Sequence, residues 1–93
     1  MDRIAIRLVI KGRVQGVGYR WWARSEARRL GLAGWVRNRR DGSVELLAAG
    51  FATAVAELAA LCWRGPALAE VAGVDRFEVD DDGLVSFEEW PTA

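Results

Sequence analysis

The feature that most constrains this 93-residue chain is a change of hydrophobic period across a glycine-rich break near its start. From Arg3 to Lys11 the residues alternate, with Ile4, Ile6, Leu8 and Ile10 on one face and Arg3, Arg7 and Lys11 on the other. That period of two predicts a half-buried strand. Ala5 and Val9 soften the second face, as in a central strand. Gly12 to Arg20 then holds three glycines and no proline. From Tyr19 onward the spacing is helical: Tyr19, Ala23, Ala27 and Leu30 form an apolar stripe, and Arg24, Arg28 and Arg29 take the wet side. Glu26 is spaced to pair with Arg29, and Gly31 fits the position just past a helix end.

The remainder supplies partners for this strand–loop–helix unit. Gly34 to Asn38 and Val44 to Ala49 read as strands joined by Arg39-Arg40-Asp41-Gly42, and Asp-Gly between apolar segments is a strong hairpin signal. A second helix is predicted from Thr53 to Arg64, with Val55, Leu58, Leu61 and Cys62 inward, stopped by Gly65-Pro66. Val71 to Val79 is a further strand whose register Gly73 leaves open, and Leu84 to Trp90 is long enough for a short last strand. The order β-α-β-β-α-β plus a tail strand predicts an α+β ferredoxin-like sandwich, with two helices on one face of an antiparallel sheet. No linker, repeat or low-complexity segment divides residues 1–93, so a single domain is expected.

Composition narrows the chemistry. With no histidine, there is no His general base, no phosphohistidine, no Ser-His or Cys-His nucleophile pair and no His-based metal site. The single cysteine, Cys62, cannot form an internal disulfide, which fits a reducing compartment. No stretch approaches the roughly 20 apolar residues of a membrane span. The N-terminus already alternates like a strand rather than a signal peptide, so a soluble, cytoplasmic protein is expected. Net charge is zero, but residues 1–45 hold eleven Lys and Arg against four Asp and Glu. An anion site is therefore expected from the first half of the chain.

Two segments carry candidate chemistry. The loop Gly12-Arg13-Val14-Gln15-Gly16-Val17-Gly18-Tyr19-Arg20 opens a helix, whose first N–H groups and positive dipole end favour an anion. Arg20, in the first turn, has a planar guanidinium suited to two-pronged bonding of phosphate or carboxylate. The spacing matches neither a Walker loop nor a dinucleotide fingerprint. An ordinary strand-to-helix turn would use the same glycines for shape alone. Asn38, at the end of the second strand, shares a face with Val36 and carries an amide able to bond water or a substrate oxygen. Its competing role is merely to open the Asp41-Gly42 turn.

Together these segments resemble the acylphosphatase family. The first motif stands as Ile10-Lys11-Gly12-Arg13-Val14-Gln15-Gly16-Val17-Gly18-Tyr19-Arg20, and the second as Gly34-Trp35-Val36-Arg37-Asn38, then Gly42-Ser43-Val44, then Gly50. The helix between, with Ala27-Arg28-Arg29-Leu30-Gly31-Leu32, is also similar to family members. The resemblance covers residues 4–50 strongly and Gly65-Pro66 to Val74 weakly. It implies hydrolysis of a carboxyl–phosphate anhydride to carboxylate and inorganic phosphate, without cofactor or metal. Arg20 matches the family's loop arginine and Asn38 its strand-end asparagine. The phosphate is then expected in the backbone N–H groups of Gln15, Gly16, Val17, Gly18, Tyr19 and Arg20, held by Arg20, with Asn38 positioning the attacking water. The implied partners are a small-molecule acyl phosphate, with inorganic phosphate or sulfate as product or inhibitor, and the expected state is a monomer. The acyl group is expected to point to solvent.

Three further readings bear on that expectation. A non-enzymatic ferredoxin-like module would use the same cradle to bind phosphate or carboxylate. A fragment of a larger carbamoyl-transferring maturation protein would carry a similar N-terminal domain, although the end of the chain at Ala93 and the absence of cysteine-rich zinc motifs favour a free-standing unit. RNA binding on a ferredoxin-like sheet needs stacked aromatic platforms, which the first strand lacks, so no nucleic acid is expected.

The tail Phe87-Glu88-Glu89-Trp90-Pro91-Thr92-Ala93 departs from the apolar and basic end common in the family, which leaves the last strand's pairing open. Trp21 and Trp22 follow Arg20, and at least one is placed to wall the substrate pocket, whereas Trp22, Trp35 and Trp63 are expected in core or helix–sheet packing. Cys62 reads as a buried, inert thiol. Asp80-Asp81-Asp82-Gly83 reads as a solvated turn, since it lacks the alternating ligands of a calcium loop.

Overall fold

The computed structural model describes residues 2–93. The elements run β1 (Arg3–Arg13), α1 (Tyr19–Arg29), β2 (Ala33–Asn38), β3 (Val44–Phe51), α2 (Ala52–Cys62), β4 (Glu70–Val79) and β5 (Phe87–Glu89). The five strands form one sheet in the order β4-β1-β3-β2-β5. The fold is the expected ferredoxin-like sandwich with an extra C-terminal strand.

The alternation of β1 sets the two faces. Ile6, Leu8 and Ile10 are fully buried and pack with Val36, Leu46 and Ala48 against Ala23 and Ala27 of α1 and Val55, Leu58 and Cys62 of α2. Arg7, Arg37 and Glu45 point from the opposite, helix-free face. There Glu45 is buried between Arg7 (3.1 Å) and Arg37 (2.7 Å).

Two departures from simple alternation have local causes. β1 runs on through Gly12 and Arg13 because β4 follows it past a register shift, with Lys11 opposite Gly73 but Gly12 opposite Val71. Ala72 is the extra residue of that bulge, adjoining the glycine that left the register open. β5 is shorter than the segment Leu84 to Trp90 and pairs parallel to β2, making the sheet mixed. Phe87, almost wholly buried, anchors it. Beyond β5 the tail stays alongside β2, where Trp90 N–H donates to the Val36 carbonyl (2.8 Å) and Ala93 N–H to the Asn38 carbonyl (3.0 Å).

Candidate active site

The loop after β1 reaches α1 without closing its own hydrogen bonds. Gly16 and Gly18 hold φ values of 75° and 82°, a left-handed conformation that glycine adopts without a Cβ penalty. Gly18 caps α1, but no side chain caps the helix and its first turn holds no acidic residue. Among the described residues, no backbone amide from Gln15 to Trp21 donates to a carbonyl or to a side chain. A run of open donors at a positive helix end is the arrangement that suits an anion.

Two side chains fix this loop from below. Val14 is buried in the core. Tyr19 is buried too, and its hydroxyl donates to the Cys62 carbonyl at 2.6 Å, tying the start of α1 to the end of α2. Burial pushes the Tyr19 phenol well above its ordinary range, and it pushes the Cys62 thiol up to about 12, so both stay neutral. With Tyr19 turned inward, the next residue, Arg20, lies at the surface side of the first turn.

Arg20 is half-buried and, among the described residues, makes neither an ion pair nor a side-chain hydrogen bond. Arg13, Arg40 and Arg64 are likewise outside the ion pairs, but of these four only Arg20 lines the cleft described next.

That cleft, of about 190 Å³, is bounded by Val14, Gly16, Gly18, Tyr19, Arg20, Trp21, Asn38 and Glu89. Asn38 enters it from the end of β2, on the helix-bearing side with buried Val36. Among the described residues its side-chain amide has no hydrogen-bond partner. The Asp41-Gly42 turn does not use it: Asp41 accepts from the Ser43 N–H (2.9 Å) and Ser43 hydroxyl (2.6 Å), which holds its carboxyl below the usual carboxylate range. The turn-opening role for Asn38 therefore has no contact behind it.

The side chain of Gln15 does not line the cleft; its amide donates to the carbonyls of Arg39 (2.7 Å) and Ser43 (2.8 Å), while its backbone N–H, the group expected to meet the phosphate, donates to no carbonyl among the described residues. It thus braces the glycine loop against the hairpin that carries Asn38. Val17 is also absent from the wall, though it packs against the core. A larger cleft of about 350 Å³ beside α2 is lined by Leu8, Ala59, Ala60, Trp63, Val74 and Arg76. Its only charged group, Arg76, is paired with Glu78, and it lacks both a glycine loop and a helix N-terminus.

A sequence model of the acylphosphatase family matches residues 6–88, which takes in the loop, Arg20, Asn38 and nearly all of β5. This chain belongs to the acylphosphatase family. It is 60% identical over 75 residues to an acylphosphatase of Nitrobacter hamburgensis, an alignment covering 81% of this chain and 76% of that one. Its structure is similar to the acylphosphatase of Bacillus subtilis (TM-score 0.91, 35% identity, 94% of this chain and 98% of the other). It is similar also to that of Coxiella burnetii (TM-score 0.93, 34% identity, 96% and 94%).

Against the acylphosphatase expectation, the aromatic residues divide in an instructive way. Trp21, 62% exposed, walls the cleft, and Trp22 packs on the core edge-on to Tyr19. Trp35 is buried, but on the helix-free face, stacked on Trp90 with ring centroids 4.5 Å apart. Trp63 is a correction: it is 56% exposed, because it follows the last turn of α2 and lies beyond the inward stripe of Val55, Leu58 and Cys62. Glu89 and Val14 were not legible as cleft residues. Glu89 reaches the cleft only through the parallel pairing of β5 with β2, a long-range register with no local signal.

Proposed function

We infer that this chain carries out its family's reaction in the cleft between the glycine loop and the end of β2. As an acylphosphatase it is a hydrolase acting on acid anhydrides, and its substrate is a small-molecule acyl phosphate. The observation that carries the site assignment is the convergence on one cleft of three groups unspent among the described residues: the amides of the loop and first turn, with Gly16, Gly18, Tyr19, Arg20 and Trp21 in its wall, the guanidinium of Arg20 and the amide of Asn38.

In this reading the phosphoryl oxygens take the loop amides, and Arg20 supplies two parallel charge-assisted bonds. Asn38 orients a water on the face of phosphorus opposite the acyl oxygen. The water oxygen bonds to phosphorus as the bond from phosphorus to the acyl oxygen breaks. The electron pair leaves with the carboxylate, and both water protons remain on the phosphate, giving carboxylate and dihydrogen phosphate. The leaving carboxylate is a weak base with a pKa near ~4 and needs no general acid. A loose transition state spreads charge over the equatorial oxygens, so positioning and preorganised donors do most of the work. A chain without histidine is therefore equipped for this chemistry. Inorganic phosphate is then both product and competing ligand, and the neutral, buried Cys62 fits a cytoplasmic setting.

Benzoyl phosphate hydrolysis tests the reading. The expected result is turnover that a chelator leaves unchanged, inhibited competitively by phosphate or sulfate. A protein that binds phosphate but releases no benzoate is a binding module instead.

A further inference from the structure

We propose that Trp21 and Glu89 make the cleft selective for acyl phosphates with an uncharged, flat or apolar acyl group, and select against those with a second carboxylate. This rests on the acyl phosphate reading above and adds the class of acid that the cleft accepts.

The phosphate requires only Arg20, the loop amides and the water held by Asn38. Two other large side chains in the same 190 Å³ cleft have no part in that role. Trp21 is next to Arg20 in the first turn of α1, and 62% of it is exposed although helix packing could have buried an indole. Its neighbour Trp22 does pack on the core, so exposure of Trp21 follows from its position on the cleft side of the turn. An open indole beside the phosphoryl position offers a flat face for an aromatic or apolar group to stack on. Buried Val14 and Tyr19 line the same cleft.

Glu89 works in the other direction. A carboxylate in the wall of an anion-binding cleft opposes the phosphate, so its presence calls for an explanation. Arg24, one turn beyond Arg20 on α1, holds it at 3.1 Å, while Arg24 is not itself part of the wall. The pairing keeps the carboxylate at a fixed place. Close to the phosphate, Arg20 and the loop amides outweigh it. Farther out, where the acyl group leaves the cradle, an added negative charge on the substrate meets Glu89, and Arg24 beside it is already committed to that carboxylate. Like charges juxtaposed in a binding site are a general means of rejecting a wrong ligand.

The test compares kcat/KM for benzoyl, acetyl and succinyl phosphate in wild type, Trp21→Ala and Glu89→Gln. Ratios to acetyl phosphate cancel any common effect on the phosphate cradle or on folding. Wild type is expected to prefer benzoyl over acetyl and acetyl over succinyl phosphate. Trp21→Ala should lower the benzoyl-to-acetyl ratio about fivefold, the worth of one aromatic stack. Glu89→Gln should raise the succinyl-to-acetyl ratio about fivefold, as expected for removing one like charge in a half-screened site. Ratios that both variants leave at wild-type values overturn the selectivity proposal while the acyl phosphate reading stands. Failure of wild type to hydrolyse any of the three acyl phosphates overturns both.

Discussion

Two arginine-bearing regions lie on the two sides of this sheet, and they use the same side chain in opposite ways. On the helix-free face Arg7 and Arg37 both bond Glu45, Arg7 lies 4.4 Å from the centre of the Phe77 ring, and Arg37 lies 4.7 Å from that of Trp35. Trp90 stacks on Trp35 from β5's end and closes that cluster. On the helix-bearing side, among the described residues, Arg20 has been given no carboxylate, and neighbouring amides have been given no carbonyl. A guanidinium whose partners are all internal contributes to structure. One left without partners, beside open donors of the same sign, is set to receive an anion from solution. The difference lies in what surrounds each arginine, not in its burial: Arg7 and Arg37 are half-buried, as Arg20 is.

This contrast is broken if an arginine of either region behaves like the other kind. The largest effect is expected at Arg20→Lys, which keeps the charge and loses the fork. Turnover should fall by about 10²–10³, the worth of one strong preorganised contact in a transition state, with the melting temperature unchanged. A variant keeping more than about a tenth of wild-type turnover would remove Arg20 from that role. A smaller and opposite result is expected from Glu45→Gln. It leaves two guanidiniums around a neutral amide and should cost about 1–2 kcal/mol in chemical denaturation, since hydrogen bonds to charged groups in half-buried surroundings are worth that much. Turnover per folded molecule should stay near wild type. Lost turnover in a stable Glu45→Gln protein would mean that the two faces communicate.

The parts of this account that the sequence made legible are the local ones. The period change at Gly12 to Tyr19 announces a strand, a loop and a helix N-terminus from a few consecutive residues, and Arg20 sits at a fixed offset from that junction. Asn38 is similarly placed by the strand that ends in a hairpin turn. What could not be read depends on residues far apart in the chain. Gln15 looks like one more loop residue until the hairpin carbonyls of Arg39 and Ser43 are beside it. Glu89 looks like part of a wet tail until β5 lies parallel to β2 and carries it to the cleft. Trp63 failed for a different reason: aromatic character predicts burial on average, but its place past the last turn of α2 puts it outside the inward stripe.

In the proposed reaction labour is divided within the cleft, with Arg20 to hold the phosphate and Asn38 to hold the water. Isothermal titration of inorganic phosphate into Arg20→Ala and Asn38→Ala, alongside kcat and a circular dichroism check of folding, tests it most directly. Asn38→Ala should lose most of its kcat and bind phosphate as wild type does, because a contact made only as water attacks is felt in kcat. Arg20→Ala should lose both, because it touches the ion before and during the reaction. Phosphate affinity that falls in step with kcat in folded Asn38→Ala would contradict the account, making Asn38 a phosphate ligand and leaving the attacking water without a partner.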